Sequence, residues 1–386
     1  MKKDLKKQMK EWRRHFHQNP ETAFEEVKTA AFVADYLRGL GLDVHTGIGK
    51  TGVVANLKVG DGERVVGLRA DMDAINMQET TGLPYASTVP NKMHACGHDG
   101  HTATLMGAAT LLAEEKGFNG TVRFLFQPAE EPGKGAQAMV DDGLFERFPM
   151  DEIYGIHNAS EIPEGTFHTR VGGIMASEDN FTIRIKGRGS HASAPHLSID
   201  PLVTAAEIIM ALQTIVSRNV SPIDQAVVSC TELYMDGVHN AIPSNVEILG
   251  DTRSNKEEIQ ALIEQRMQAI CENICSANNA DLDFLYTHEF APTINWAEGV
   301  EKAVAVAKKV VGEENVNSNC DPWMGSEDFG IFLKHVPGCF LFLGAGKSEE
   351  RSENTPLHNS KYDFNDDILM TGATFFRELI RHTLPQ

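Results

Sequence analysis

The chain has 386 residues, 41% hydrophobic and 23% charged, with a formal net charge of −19. That length suits two domains, and the composition is that of a soluble globular protein. The acidic balance argues against nucleic acid or an anionic membrane as the main partner.

In chain order, residues 5–18 read as a helix within a basic, amphipathic start. No apolar core of a secretory signal follows it, and no apolar run is long enough to span a membrane. The six cysteines are scattered and suggest no disulfide framework, so the expected setting is cytoplasmic with reduced thiols. A second helix over 25–41 stops at a glycine. Apolar runs of strand length follow at 51–59, 64–71, 121–131 and 152–158, with a helix over 100–117 between the second and third. This alternation predicts an α/β domain, a mostly parallel sheet flanked by helices. Its ligand crevice would lie outside the carboxyl ends of the strands.

The pattern then changes. Between residues 178 and 289 the order is strand, helix, strand, strand, helix, strand. That order forms a four-stranded sheet with two helices on one face. The expected organisation is a catalytic domain from residues 1–176 and 291–386, with an α+β (β-α-β-β-α-β) lid domain inserted at 177–290. A helix over 299–312, a strand over 339–346 and a helix over 366–384 return to the first sheet.

Chemistry-bearing residues collect where that sheet would put a ligand. Asp71 and Asp73 follow one strand in "LRADMDA". Cys96 and His98 sit in "MHACGHDGHTA", a loop entering a helix. Glu130 and Glu131 follow another strand in "FQPAEE", His157 lies in "GIHN", and His358 in "TPLHNSKYDF". Thiolate, imidazole and carboxylate together suit zinc, and with lower preference manganese, cobalt or nickel. One ion takes about four donors. Cys96, His98, Glu131, His157 and His358 with a spare carboxylate exceed that, whereas two ions about 3.5–4 Å apart would use them all. Glu131 is assigned to the metal and Glu130 to the general base, a division that spacing alone does not settle.

Other features carry less. "GIGKTG" at 47–52 suggests a phosphate loop, but the required first glycine falls on Val44. Cys271 and Cys275, four apart on a helix, read as packed thiols. Cys96 as a nucleophile beside His98 would leave Glu130, Glu131, His157 and His358 unexplained.

"RADMDA", "MHACGHDGHTA", "FQPAEE", "GIHN", "KGRGSHASAPH" and "LHN" occur in this order and resemble the amino-acid amidohydrolase family of dinuclear metallopeptidases, over nearly the whole chain. The resemblance implies metal ligands at Cys96, His98, Glu131, His157 and His358, two divalent ions with zinc or manganese foremost, and Glu130 as general acid/base. It implies that Asp73 supports the centre. Asp71 stands where more distant relatives have a histidine ligand. His191 in the lid would stabilise the oxyanion, often from a neighbouring subunit, which implies a homodimer or higher oligomer. Asn240 and Arg253 are further substrate-binding candidates, Arg253 through a bidentate pair with a carboxylate. The expected activity is hydrolysis of the amide bond of a small N-acyl amino acid. The alternatives are a dipeptidase or aminopeptidase on the same scaffold, and a non-catalytic metal-dependent binding protein, which would have no need of Glu130. His94 and His101 are expected to support or pack, and Asp99 to sit behind the ligands.

Overall fold

A computed structural model describes residues 2–346 and 355–386. The chain divides into two compact units, one of residues up to Ile174 with Asn295–Asp321 and Asp328–Gln386, the other of Met175–Ile294 with Pro322–Glu327. The short Pro322–Glu327 segment thus clusters with the second unit, although its position in the sequence places it in the first.

The first unit is built on an eight-stranded sheet. Its centre is parallel: Gly120–Gln127 pairs with Val65–Asp71, that with Glu152–Ala159, and that with Gly338–Gly344. These strands are near-continuous apolar runs, as expected of parallel strands covered on both faces. Gly52–Val59 is antiparallel to its neighbour Gly120–Gln127 and forms a hairpin with the edge strand Asp43–Ile48. That edge strand escapes a reading by apolar pattern because most of its residues are polar or exposed. Within the hairpin, "GIGKTG" spans the turn, residues 49–51, with Gly49 and Lys50 both at positive φ. The helices Lys2–Gln18, His98–Glu115, Ala297–Val311 and Leu369–Thr383 bury Met9, Trp12, Leu105, Leu112, Val300, Phe375 and Phe376 in the main core.

The second unit holds a four-stranded antiparallel sheet in the order Ala226–Met235, Asn245–Ser254, Glu178–Lys186, Asp281–Phe290. The apolar residues of its central strands, Phe181, Ile183, Ile185, Val246 and Ile248, pack with Ile208 and Leu212 of one helix and Ile263, Met267, Cys271 and Cys275 of the other. The two thiols are core residues there. The helix Pro201–Thr214 starts at an Asp200 cap that accepts the N–H groups of Leu202 and Val203. Among the described residues, no helix is long and apolar enough to cross a membrane.

Candidate metal centre

The site grows from the carboxyl ends of three neighbouring parallel strands. Val65–Asp71 ends in Asp71 and leads to Asp73. Gly120–Gln127 leads to Glu130 and Glu131. Glu152–Ala159 carries His157. Between the first two, the helix His98–Glu115 starts on the sheet, with Gly97 at its N-terminal boundary in the left-handed region at φ +95°. A side chain there would be strained, and its Cβ would lie 2.4 Å from Asn158 Oδ1. Glycine therefore lets Cys96 and His98 turn inward together.

Their donor atoms converge. Cys96, His98 and His157 form one group with ligand atoms within 4.8 Å of one another, and Cys96, Glu131 and His358 form a second. Cys96 Sγ lies 3.5 Å from His157 Nε2. His98 Nε2 is 3.8 Å from a carboxylate oxygen of Glu130 and of Glu131, and Glu131 is 3.6 Å from His358 Nε2. The first unit thus brings together all five residues expected to ligate, with Glu130 beside them.

The surrounding hydrogen bonds orient these donors. His98 Nδ1 donates to the carbonyl of Asp73 at 2.9 Å, and His157 Nδ1 donates to the carbonyl of Asn158 at 2.7 Å. With Nδ1 engaged in this way, each ring turns Nε2 to the centre. His98 Nε2 and Glu131 Oε1 are buried with no hydrogen-bond partner among the described residues, which is costly unless a cation satisfies them. Burial pushes Glu131 up to about 7, reinforced by Asp73 and Asp71 and opposed by His98. Burial also pushes the Cys96 thiol well up. Burial and the neighbouring His101 hold His157 well down, hence neutral. A set of soft and hard donors, mostly buried and converging in two overlapping groups, fits divalent ions.

Asp73 acts through others. Its two carboxylate oxygens accept the backbone N–H groups of Glu130 and Glu131, each at 3.0 Å, so it sets the turn that presents both glutamates. Ala129, at positive φ, donates its N–H to the buried Glu26. Asp71 is engaged by Arg69 at 2.8 Å and His101 at 2.6 Å, and one of its oxygens lies 3.7 Å from His98 Nε2. The other ring nitrogen of His101 meets Asn158. Among the described residues neither ring nitrogen of the buried His94 has a hydrogen-bond partner, and burial lowers it to about 4. Asp99 accepts from His17 at 2.8 Å and from the N–H of Gly100 at 2.9 Å.

The remaining candidates belong to the second unit. His191 pairs with Ala241 in a short antiparallel ladder, and Ala192 donates to the carbonyl of Asn240, so His191 and Asn240 are neighbours. Ser193 donates to His191 Nδ1 through its N–H and lies 2.7 Å away through its hydroxyl. Arg253 is ion-paired with Asp251 and Glu178, each at 3.0 Å, and bonds Ser326. Its guanidinium thus has carboxylate partners within the same unit. Sequence reasoning missed Glu26, Arg69, Asn158 and the Asp328 that also meets Arg69. The only signal was charge inside apolar strands, as for Arg69 in "VVGLRAD".

Residues 67–382 match the family model described as Peptidase family M20/M25/M40. A hippurate hydrolase of Campylobacter jejuni is 42% identical over 376 residues, 97% of this chain and 96% of that protein. An N-acetylcysteine deacetylase of Bacillus subtilis is 36% identical over 95% of this chain and 94% of its own. The crystal structure of the Bacillus subtilis YXEP protein, a dinuclear metal binding peptidase of the M20 family, superimposes with a TM-score of 0.86 at 31% identity, covering 99% of each chain. The chain is therefore a hydrolase that belongs to peptidase family M20/M25/M40.

Proposed function

We propose that this enzyme hydrolyses the amide bond of small N-acyl amino acids at a two-ion centre. The observation that carries the reading is the convergence of Cys96, His98, Glu131, His157 and His358 around buried, unpartnered donor atoms, with Glu130 3.8 Å from His98 Nε2. Cys96 belongs to both donor groups and would serve as a ligand in either. Zinc or manganese suits the donor set best, with cobalt and nickel as substitutes. When bound, the ions acidify water and polarise the scissile carbonyl. Glu130 takes a proton from the attacking water and returns it to the leaving amine nitrogen, releasing a carboxylic acid and a free amino acid. Asp73 holds Glu130 and Glu131 by their backbone N–H groups.

The names of the hippurate hydrolase and N-acetylcysteine deacetylase support an acylated amino acid over a free dipeptide. The runner-up, a dipeptidase on the same scaffold, needs a site for a free α-amine. We assign His191 as the oxyanion donor. Ser193 donates to its Nδ1 through the backbone N–H, so the ring proton sits on Nε2, the form that can donate. Asn240 lies beside it as a substrate contact. The domain roles (metal-binding unit and inserted lid), a homodimer and a cytoplasmic setting complete the reading.

The test is Glu130→Gln with a substrate panel of acetyl-, benzoyl- and succinyl-amino acids and dipeptides. Glu130→Gln should keep two ions per chain and lose turnover, and wild type should cleave the acylated substrates. Retained turnover would remove Glu130 as base, and preference for dipeptides would replace the substrate class. Mixing Glu130→Gln with His191→Ala subunits restores activity only if His191 acts across a dimer.

A further inference from the structure

We infer that Arg13, on the N-terminal helix, is a positioning residue of the metal centre: it sets the separation between the Cys96–His98 segment and the loop that carries His358. The inference rests on the metal-centre reading above.

His358 is the most exposed of the five donors. Its side chain is 55% exposed, and its backbone lies in the left-handed region at φ +59°. A β-carbon residue stays there only when its surroundings impose it. Three ties do so: two run to segments bearing another ligand, and the third reaches one through Arg13. The His358 N–H donates to the carbonyl of Ala95, the residue before Cys96. Four residues on, the Tyr362 hydroxyl accepts from the Asn158 amide at 2.8 Å, beside His157. One residue further, Asp363 accepts from Arg13 at 2.9 Å.

Arg13 makes the third tie a bridge. Its side chain is fully buried, donates also to Asp366 at 2.7 Å, and lies 3.8 Å from Asp99, the residue after His98. Asp99 is itself fixed by His17 and by the Gly100 N–H. Tyr85 covers the guanidinium with its ring at 4.8 Å and donates its hydroxyl to Asp363 at 2.8 Å. A planar guanidinium spans these carboxylates as no single ammonium can. The separation of two ligand segments about 260 residues apart (Asp99 to Asp363) is thereby set by a residue that touches neither ion.

The test is titration of metal-free protein with Co2+, followed by calorimetry and by the visible spectrum of the bound ion. Wild type should take two equivalents. Arg13→Met should keep one at wild-type affinity, with the thiolate charge-transfer band of Cys96, and bind the second at least tenfold more weakly. His358→Ala should show the same selective loss. Should Arg13→Met fail to fold, Asp363→Asn, at a partly exposed position, should weaken the second equivalent in the same direction. A general loss of stability would weaken both equivalents together, so uniform weakening, or two wild-type affinities, overturns the inference. Failure of wild type to take two equivalents overturns the metal-centre reading instead.

Discussion

Replacing Asp73 by asparagine tests how the glutamate turn is held. The side chain keeps its volume but exchanges one carboxylate oxygen for an NH2 group. Each oxygen now accepts one backbone N–H, from Glu130 and from Glu131, both at 3.0 Å. In Asp73→Asn one of those N–H groups faces a donor. A hydrogen bond to a charged group contributes about 1.5–3 kcal/mol, and a stranded buried donor costs about 1–3 kcal/mol. Taking about 3 kcal/mol as the strain on the turn, and letting it appear in the placement of Glu130, kcat should fall about 100-fold. Metal content should hold at two ions, because His98 is oriented by the Asp73 backbone carbonyl, which the substitution keeps. The assay is steady-state kcat on an N-acyl amino acid beside metal analysis of the same preparation. A kcat within threefold of wild type would refute the clamp. Loss of metal with kcat per bound ion unchanged would show that Asp73 serves the ligands and not the base.

Three further outcomes follow from the same geometry. Metal uptake should release protons and weaken as pH falls through about 7, since Glu131 sits at about 7 and Cys96 above its ordinary value without an ion; calorimetry in buffers of different ionisation enthalpy should show it, and a buffer-independent enthalpy would contradict it. Burial opposes the charge on His17, but hydrogen bonds to Asp99 and Glu79 outweigh it and raise His17 to about 9. Its stabilisation should be complete below pH 6.5 and vanish as pH rises through 9, at most about 3 kcal/mol; the stability difference from His17→Gln should close over that window, and a constant difference would refute it. Gly135→Ala should cripple both folding yield and activity, because its Cβ would sit 1.6 Å from the Pro128 carbonyl oxygen, in the backbone leading to Glu130; near-normal melting and turnover would show that the turn can shift.

Much of the centre was legible because its donors are local features. Asp71, Glu130, Glu131 and His157 each lie at or just beyond the end of an apolar strand, and the parallel alternation puts those ends on one edge. Cys96 and His98 share a loop that glycine allows to turn inward. The polar edge strand Asp43–Ile48 was not legible, since its pairing with Gly52–Val59 supplies what its own pattern lacks. The partners of Arg253 were not legible for a related reason: its acceptors Glu178 and Ser326 lie 75 and 73 positions away in sequence.

The sequence by itself determined the donor types, their delivery to one sheet edge and the class of chemistry they serve. Those depend on residue identity and on periodicities of a few residues. Only the tertiary structure decided which nitrogen of His98 and His157 faces the centre, what engages Asp71, and that the Asp73 carboxylate accepts the backbone N–H groups of Glu130 and Glu131. Each of those is a hydrogen bond between segments far apart in the chain. Such a bond leaves no mark in local composition, because any buried carboxylate or guanidinium reads the same until its partner is in place.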